Sequence, residues 1–418
     1  SKDSNQTFEI YVPSDTNSQL IIWEEISPTP STTIKDQDGN YIFKYIVAPE
    51  ATIDCRIRGY IQKIDSLTSK EDPKLYLTEN TGYWSITNST EFKRINTYLR
   101  RNGLEIEDGF SDISELGEPQ KELFYKYVYR YVIERLSFPS DITLGLVNET
   151  RLGANALTES SNDSTPIDYA DFYIAILRKY NVPSRLVIGY ISNITGYSSD
   201  GFYHHWVEYY DSNKENWVTA DPFLEEYFSK PIFGSSFHDH ITIIRRGKTA
   251  VAPKLSFYQE NDFVVKSDSG EGVDPTFETS SELRFEKFKT TDRFLKGYIY
   301  ITNTGNTTIN NFSIKNSNIS NIAKYVDPVN NLNSQIIIPK QSAHLQINIP
   351  NEEVQGSNIF LDVSLLNTEH YEHGDLLDEN IEKEIPIYVV LLSKSLSLGV
   401  FGLFAFLIYF IERRINNG

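Results

Sequence analysis

The chain has 418 residues, of which 39% are hydrophobic and 13% aromatic, and it carries a formal net charge of −18. That length calls for two or three domains, the apolar content excludes a disordered chain, and the acidity argues against nucleic acid as a partner. With Cys55 as its one cysteine, the chain can form no intramolecular disulfide and must rely on its cores alone.

Residues 1–88 read as a small β-domain. TFEIYV, QLIIWEEI, YIFKYIVA and IDCRIRGYI have the character of strands, and turn clusters such as DQDGN separate them. Cys55, in the last run, reads as a small buried hydrophobe. Numbering starts at Ser1 and there is no Met, which points to a processed N-terminus, as after removal of a signal peptide.

Residues 89–250 have a different texture. NSTEFKRINTYLRRNG, with its Ser/Thr start and Gly stop, predicts a helix. A second helix is predicted over 118–137. There Leu123, Tyr127 and Tyr131, together with Phe124, Val128 and Val132, recur at i+4 and give one broad apolar face. A third is predicted over 166–180, with Thr165 as N-cap, Pro166 at the first helical position and Asp168 at the third. Strands are predicted over 184–192, 203–210 and 216–220. In YHHWVEYY, His204 and Trp206 then share one strand face and His205 takes the other.

Beyond residue 250 a polar stretch with Gly and Pro reads as a linker, residues 251–280. Residues 281–387 alternate as short strands broken by turn signals, the pattern of an immunoglobulin-like β-sandwich serving as a stalk. Residues 388–411 predict a single transmembrane helix, since SLSLGVFGLFAFLIYFI is uncharged and a run of about twenty apolar residues spans a bilayer. Lys394 would sit at its outer edge, and Arg413 and Arg414 would place the tail, residues 412–418, in the cytoplasm. Residues 388–418 add two net positive charges, so residues 1–387, the predicted ectodomain, carry −20. N-x-S/T sequons at Asn5, Asn88, Asn148, Asn162, Asn193, Asn306, Asn311 and Asn318 agree with an exterior glycoprotein. Low Cys, high Asn, Ile and Tyr, and acidity resemble archaeal envelope proteins.

Two histidine pairs have the residue type for Zn or Cu: His238 and His240 in FHDH, and His370 and His373 in EHYEH. No four-ligand spacing accompanies them, so no metal or other cofactor is expected, and His238 and His240 stand as the candidates should one bind.

Three segments in order carry a family resemblance. ADFYIAILRKYNVPSRLVIGY resembles a nucleophile helix followed by a G-I-P-A-R-x-V-x-G-Y segment. HHW at 204–206 is similar to H-x-W, and NWVTADP to G-W-x-x-x-D-P. Residues 80–250 thus resemble the transglutaminase-like core, an α+β fold shared by transglutaminases and papain-like cysteine proteases. The resemblance implies a Cys-His-Asp triad, with His204 at the histidine place and Asp221 at the aspartate place. Counting back from Arg178, the cysteine place falls on Pro166, and the family's G-x-C reads Ser164-Thr165-Pro166. Proline offers neither a nucleophile nor an N–H. The expectation is therefore a degenerate triad in a non-catalytic module, with His204, His205, Trp206 and Asp221 lining a cleft that could hold a peptide segment or a glycan. Such a module would serve as a binding or scaffold unit, or as an accessory subunit. It would meet the membrane and other membrane or surface-layer proteins through its transmembrane helix and ectodomain, and no nucleic acid. The alternative is a hydrolase or acyltransferase of peptide amides that uses another nucleophile or a metal.

Overall fold

The computed structural model describes residues 5–64, 72–77, 82–142, 144–145, 150–192, 201–235, 237–251, 253, 273–286, 294–318, 336–350, 358–366 and 376–384. They divide into two units near residue 273. The first unit opens with five strands: β1 (Gln6–Val12), β2 (Gln19–Ser27), β3 (Thr32–Lys35), β4 (Tyr41–Val47) and β5 (Arg56–Lys63). β1, β4 and β3 form one antiparallel sheet in that order, and β2 pairs with β5. Alternation in YIFKYIV buries Tyr41, Phe43, Tyr45 and Val47 and leaves Ile46 exposed. Phe43 meets Trp23 of the other pair, ring centroids 5.7 Å apart.

The helices follow. α1 (Ser89–Arg101) is capped by Asn88, whose side chain accepts the Thr90 N–H at 3.0 Å. α2 (Glu118–Arg135) buries Phe124, Val128 and Val132 with Tyr125, Tyr129 and Tyr131. The i+4 pattern had also assigned Leu123 and Tyr127 to this face, but Leu123 is 37% exposed and Tyr127 only partly buried. Packing against the central helix, where Tyr129 meets Tyr173 at 5.9 Å, selects one side of a wide apolar stripe.

After a single turn, α3 (Ala154–Leu157), comes α4 (Pro166–Lys179). Thirteen of its fourteen residues are buried, so α4 is the centre of the core rather than a surface helix. It lies against an antiparallel sheet built from β6 (Ser184–Ile191), β7 (Phe202–Asp211), β8 (Asn216–Ala220) and, after α5 (Pro222–Phe228), β9 (His240–Arg246). The sheet order is β8-β7-β6-β9. Gly189 of β6 is a close-approach position: a Cβ there would lie 2.1 Å from the Ile241 carbonyl oxygen and 2.2 Å from the Trp206 ring.

β9 pairs with β6 on one side, and two carboxamides of the opening strands and turns serve its other side. Gln19 donates to the Thr242 carbonyl at 2.8 Å and accepts the Thr242 N–H at 3.0 Å. Asn40 does the same for Arg245, at 2.8 and 2.7 Å. Asp38 then accepts the N–H groups of Gly247 and Lys248. Among the described residues no strand pairs with that side of β9, and these side-chain amides keep its edge groups paired. They also join the first five strands to the core within one unit.

In the second unit, β10 (Thr279–Phe285), β11 (Phe294–Asn303) and β13 (Ser342–Pro350) form one three-stranded antiparallel sheet. β12 (Asn311–Ser317), β14 (Asn358–Leu366) and β15 (Leu376–Glu384) form another. Ile299, Ile301, Leu345, Ile347 and Leu361 lie in its core. β15 escaped the sequence reading because LLDENIEKE is dominated by charge. Among the described residues no helix is long and apolar enough to cross a membrane, and the span predicted at 388–411 lies outside them.

Asn40→Ala should leave the Arg245 peptide groups unpaired in a buried place and cost about 1–3 kcal/mol in urea unfolding. A loss below about 0.5 kcal/mol, the range of ordinary surface changes, would show that this edge needs no carboxamide.

Candidate functional site

The start of α4 is built as its sequence dictates. Thr165 is the N-cap, in extended conformation, and Pro166 occupies the first helical position. The Asp168 carboxylate turns back to accept the Thr165 N–H at 3.1 Å and the Thr165 hydroxyl at 2.9 Å, while its other oxygen accepts the Leu152 N–H at 2.9 Å. The Ser164 hydroxyl donates to the Ser161 carbonyl at 3.1 Å. Each polar side chain beside Pro166 is thus spent on shaping the helix start.

His204 of β7 and Asp221, the N-cap of α5, come together, with His204 Nε2 2.8 Å from Asp221 Oδ2. The Asp221 Oδ1 accepts the Leu224 N–H at 2.9 Å, and the Asp221 carbonyl accepts the Tyr129 hydroxyl at 2.8 Å. Phe202, Phe223 and Trp206 surround the imidazole. Trp206 reaches over Gly189 and meets His240 edge-on at 4.9 Å.

His240 is the member that sequence reasoning placed elsewhere. Its Nε2 lies 3.3 Å from the same Asp221 Oδ2, and its Nδ1 lies 2.8 Å from Asp239 Oδ1. Only the HDH run hinted at it, and that run suggested metal. His238 stays exposed in the turn before β9 while His240 is buried, so the structure does not bring this pair together. Among the described residues no group of three or more His, Cys, Asp and Glu is arranged to hold a metal ion. His370 and His373 lie outside the described residues. His205 is buried but not among the Asp221 contacts; burial, and then the nearby His204 and Arg151, hold its pKa well below the ordinary value.

Burial alone would raise the Asp221 carboxyl, but the attraction and hydrogen bonds of His204 and His240 outweigh it and hold the group below the usual carboxylate range. Burial would strip His240 of its proton. Hydrogen bonds to Asp221 and Asp239 overcome that and raise its pKa above 6.5. An imidazolium donating from both nitrogens fits this position between two carboxylates. The arrangement can orient an imidazole and hold a proton.

Residues 115–222 match the family model for the transglutaminase-like superfamily, a span that includes Pro166, His204 and Asp221. The chain therefore carries a transglutaminase-like superfamily domain. Among solved structures it is similar to a candidate cysteine protease from Cytophaga hutchinsonii, with 16% identity, a TM-score of 0.35 and coverage of 59% of this chain and 78% of that one. The periplasmic domain of TgpA from Pseudomonas aeruginosa, bound to ethylmercury, is 14% identical with a TM-score of 0.30, covering 52% of this chain and 76% of that one. Red sea bream transglutaminase is 10% identical with a TM-score of 0.27, covering 92% and 81%. No curated protein matches the chain in sequence.

Asp221→Ala removes the shared acceptor, leaving buried His204 without its carboxylate and His240 with Asp239 alone. It should cost about 3–5 kcal/mol in urea unfolding. The pH dependence has a definite sign. A carboxyl depressed below its ordinary 3.8 stabilises above that value, and its contribution fades as pH falls through the folded pKa. A histidine raised above 6.5 stabilises fully below that value, and its contribution fades as pH rises through its folded pKa. The His240 contribution to unfolding free energy should therefore decline as pH rises from 6.5, and His240→Gln should remove that component of the slope. An unchanged alkaline slope in the variant would remove His240 from the account.

Proposed function

We propose that the transglutaminase-like domain of this chain does no cysteine chemistry and works as a binding or scaffold module, or as an accessory subunit of a membrane or cell-surface complex. The observation that carries this reading is Pro166 at the first position of α4, where the resemblance calls for the attacking thiol, with Ser164, Thr165 and Asp168 already committed to the helix start. A thiolate attacks an amide carbonyl, the histidine shuttles the proton and the aspartate orients the histidine. His204 and Asp221 lie 2.8 Å apart, and Pro166 cannot act as the first participant. The pair then serves as a buried tie between β7 and α5. In this proposal the second unit is an immunoglobulin-like stalk, residues 388–411 anchor the chain in a membrane, and most of the chain faces outward. The acidity of residues 1–387 and the uncharged run at 395–411 support that arrangement.

The test restores what is missing. In Pro166→Cys the thiol sits at a helix N-terminus, where the dipole lowers its pKa. It should react with iodoacetamide much faster than Cys55, whose thiol burial pushes up. Adding His204→Ala should slow it. A thiol pKa equal to that of an ordinary cysteine, unmoved by His204→Ala, would mean that Pro166 does not occupy the nucleophile place. Hydrolysis or cross-linking of Gln peptides by the native chain, or its labelling by an amide-mimicking electrophile, would defeat the non-catalytic reading itself.

A further inference from the structure

The chain as a whole repels anions, so a cleft whose charged lining is entirely cationic departs from the rest of it. An open groove of about 550 Å³ lies between α1 and α2, and its charged lining consists of Lys93, Arg94 and Arg101 from α1 and Arg135 from α2. One carboxylate stands at its base. Glu91 is fully buried and accepts from Arg94 at 3.0 Å, from Arg135 at 3.3 Å and from the Tyr131 hydroxyl at 2.6 Å. A single negative charge thus serves two guanidinium groups. Lys93 and Arg101 are exposed and make no ion pair among the described residues. At the rim, a second carboxylate, Glu134, accepts the Tyr98 hydroxyl at 2.8 Å. Four lining cations against the carboxylates of Glu91 and Glu134 leave the groove with two positive charges in excess.

We infer that this groove binds an extended soluble ligand carrying several linked phosphate groups. Three features point to that chemistry. Lys93, Thr97 and Arg101 are spaced four residues apart, so they line one face of α1 over about 12 Å at roughly 1.5 Å per residue. A single small anion covers one end of such a stripe; a chain of phosphates covers all of it. The donors are mixed, with guanidinium forks, an ammonium group and the hydroxyl of Thr90, while the Thr97 hydroxyl donates to the Lys93 carbonyl at 2.7 Å. A phosphate offers enough oxygens to satisfy all three kinds at once, where a carboxylate offers two. Finally, Arg135 is held in place by Glu91 and by the carbonyls of Leu157 and Thr158, so one wall of the groove is set before any ligand arrives. The dipole of α1 accounts for a basic residue at its C-terminal end, and it accounts for neither Lys93 nor Arg94.

The site includes none of Pro166, His204 and Asp221, so the two readings stand or fall separately. The test uses the full chain in a neutral detergent, titrated calorimetrically with inorganic tripolyphosphate and with orthophosphate. Tripolyphosphate should bind with a Kd at least about tenfold below that of orthophosphate, and binding should weaken as salt rises. The double variant Lys93→Glu/Arg101→Glu alters exposed side chains. It should keep the native thermal unfolding profile and lose at least about tenfold in affinity, while Lys93→Arg/Arg101→Lys should retain it. Equal binding by the charge-reversed and native chains overturns the inference, as does the absence of tripolyphosphate binding. Vesicles of phosphatidylglycerol in phosphatidylcholine form a second arm. Capture by those vesicles with no response to tripolyphosphate would assign the groove to a lipid surface and overturn the soluble ligand.

Discussion

A buried carboxylate must find its hydrogen-bond donors inside the protein, and the core of the first unit is arranged around one that does. Asp221 is served by the Leu224 N–H, by His204 and by His240, which belong to α5, β7 and β9. β7 and β9 are not neighbours; β6 runs between them. Gly189 of β6 pairs with His204 on one side and with Thr242 on the other, and it has no side chain to stand in the way. Trp206 fills that space and meets His240. The carboxylate, the glycine and the indole therefore form one constraint, because moving any of them leaves a charge unpaired or a space empty.

The starts of α4 and α5 share a local grammar and put it to different use. Thr165-Pro166 opens α4 and Asp221-Pro222 opens α5, in each case a capping side chain followed by a proline whose missing N–H costs nothing at that position. At α5 the cap also takes the two imidazoles, so one carboxylate serves folding and the site together. At α4 the cap closes on Asp168, and the group at the helix N-terminus is a pyrrolidine ring. The favourable electrostatics of a helix N-terminus stabilise the Asp168 carboxylate in the first turn of α4.

The opening strands are joined to this core by chemistry that hydrophobic patterning does not show. β9 carries His240, and its free edge is held by the carboxamides of Gln19 and Asn40 rather than by another strand. Arg246 reinforces the junction through Asp36, Asp38 and the Tyr11 hydroxyl. The position of His240 beside Asp221 thus depends on residues some two hundred positions earlier in the chain. The same economy appears at α4, where the buried Asp171 is met by Arg151 at 2.6 and 2.7 Å and by the Trp84 indole at 2.8 Å.

The sequence alone determined whatever depends on neighbouring residues. Pro166 as the first residue of α4, the ends of β8, the start of α2 and the strand character of β2 and β4 all follow from capping, proline placement and alternation within a few positions. Short periodic signals are legible because the backbone geometry that reads them is local. Tertiary structure decided the rest. It chose the row of α2 that is buried, since two adjacent apolar rows look alike until a partner helix covers one of them. It also separated His240 from His238 and gave it to Asp221. That choice lies in the pairing of β9 with β6, between residues about fifty apart, and no property of the HDH run encodes it. A hydrogen bond between distant strands is specified only when the whole sheet is assembled, because only then is the cost of burying each charge set against the donors that surround it.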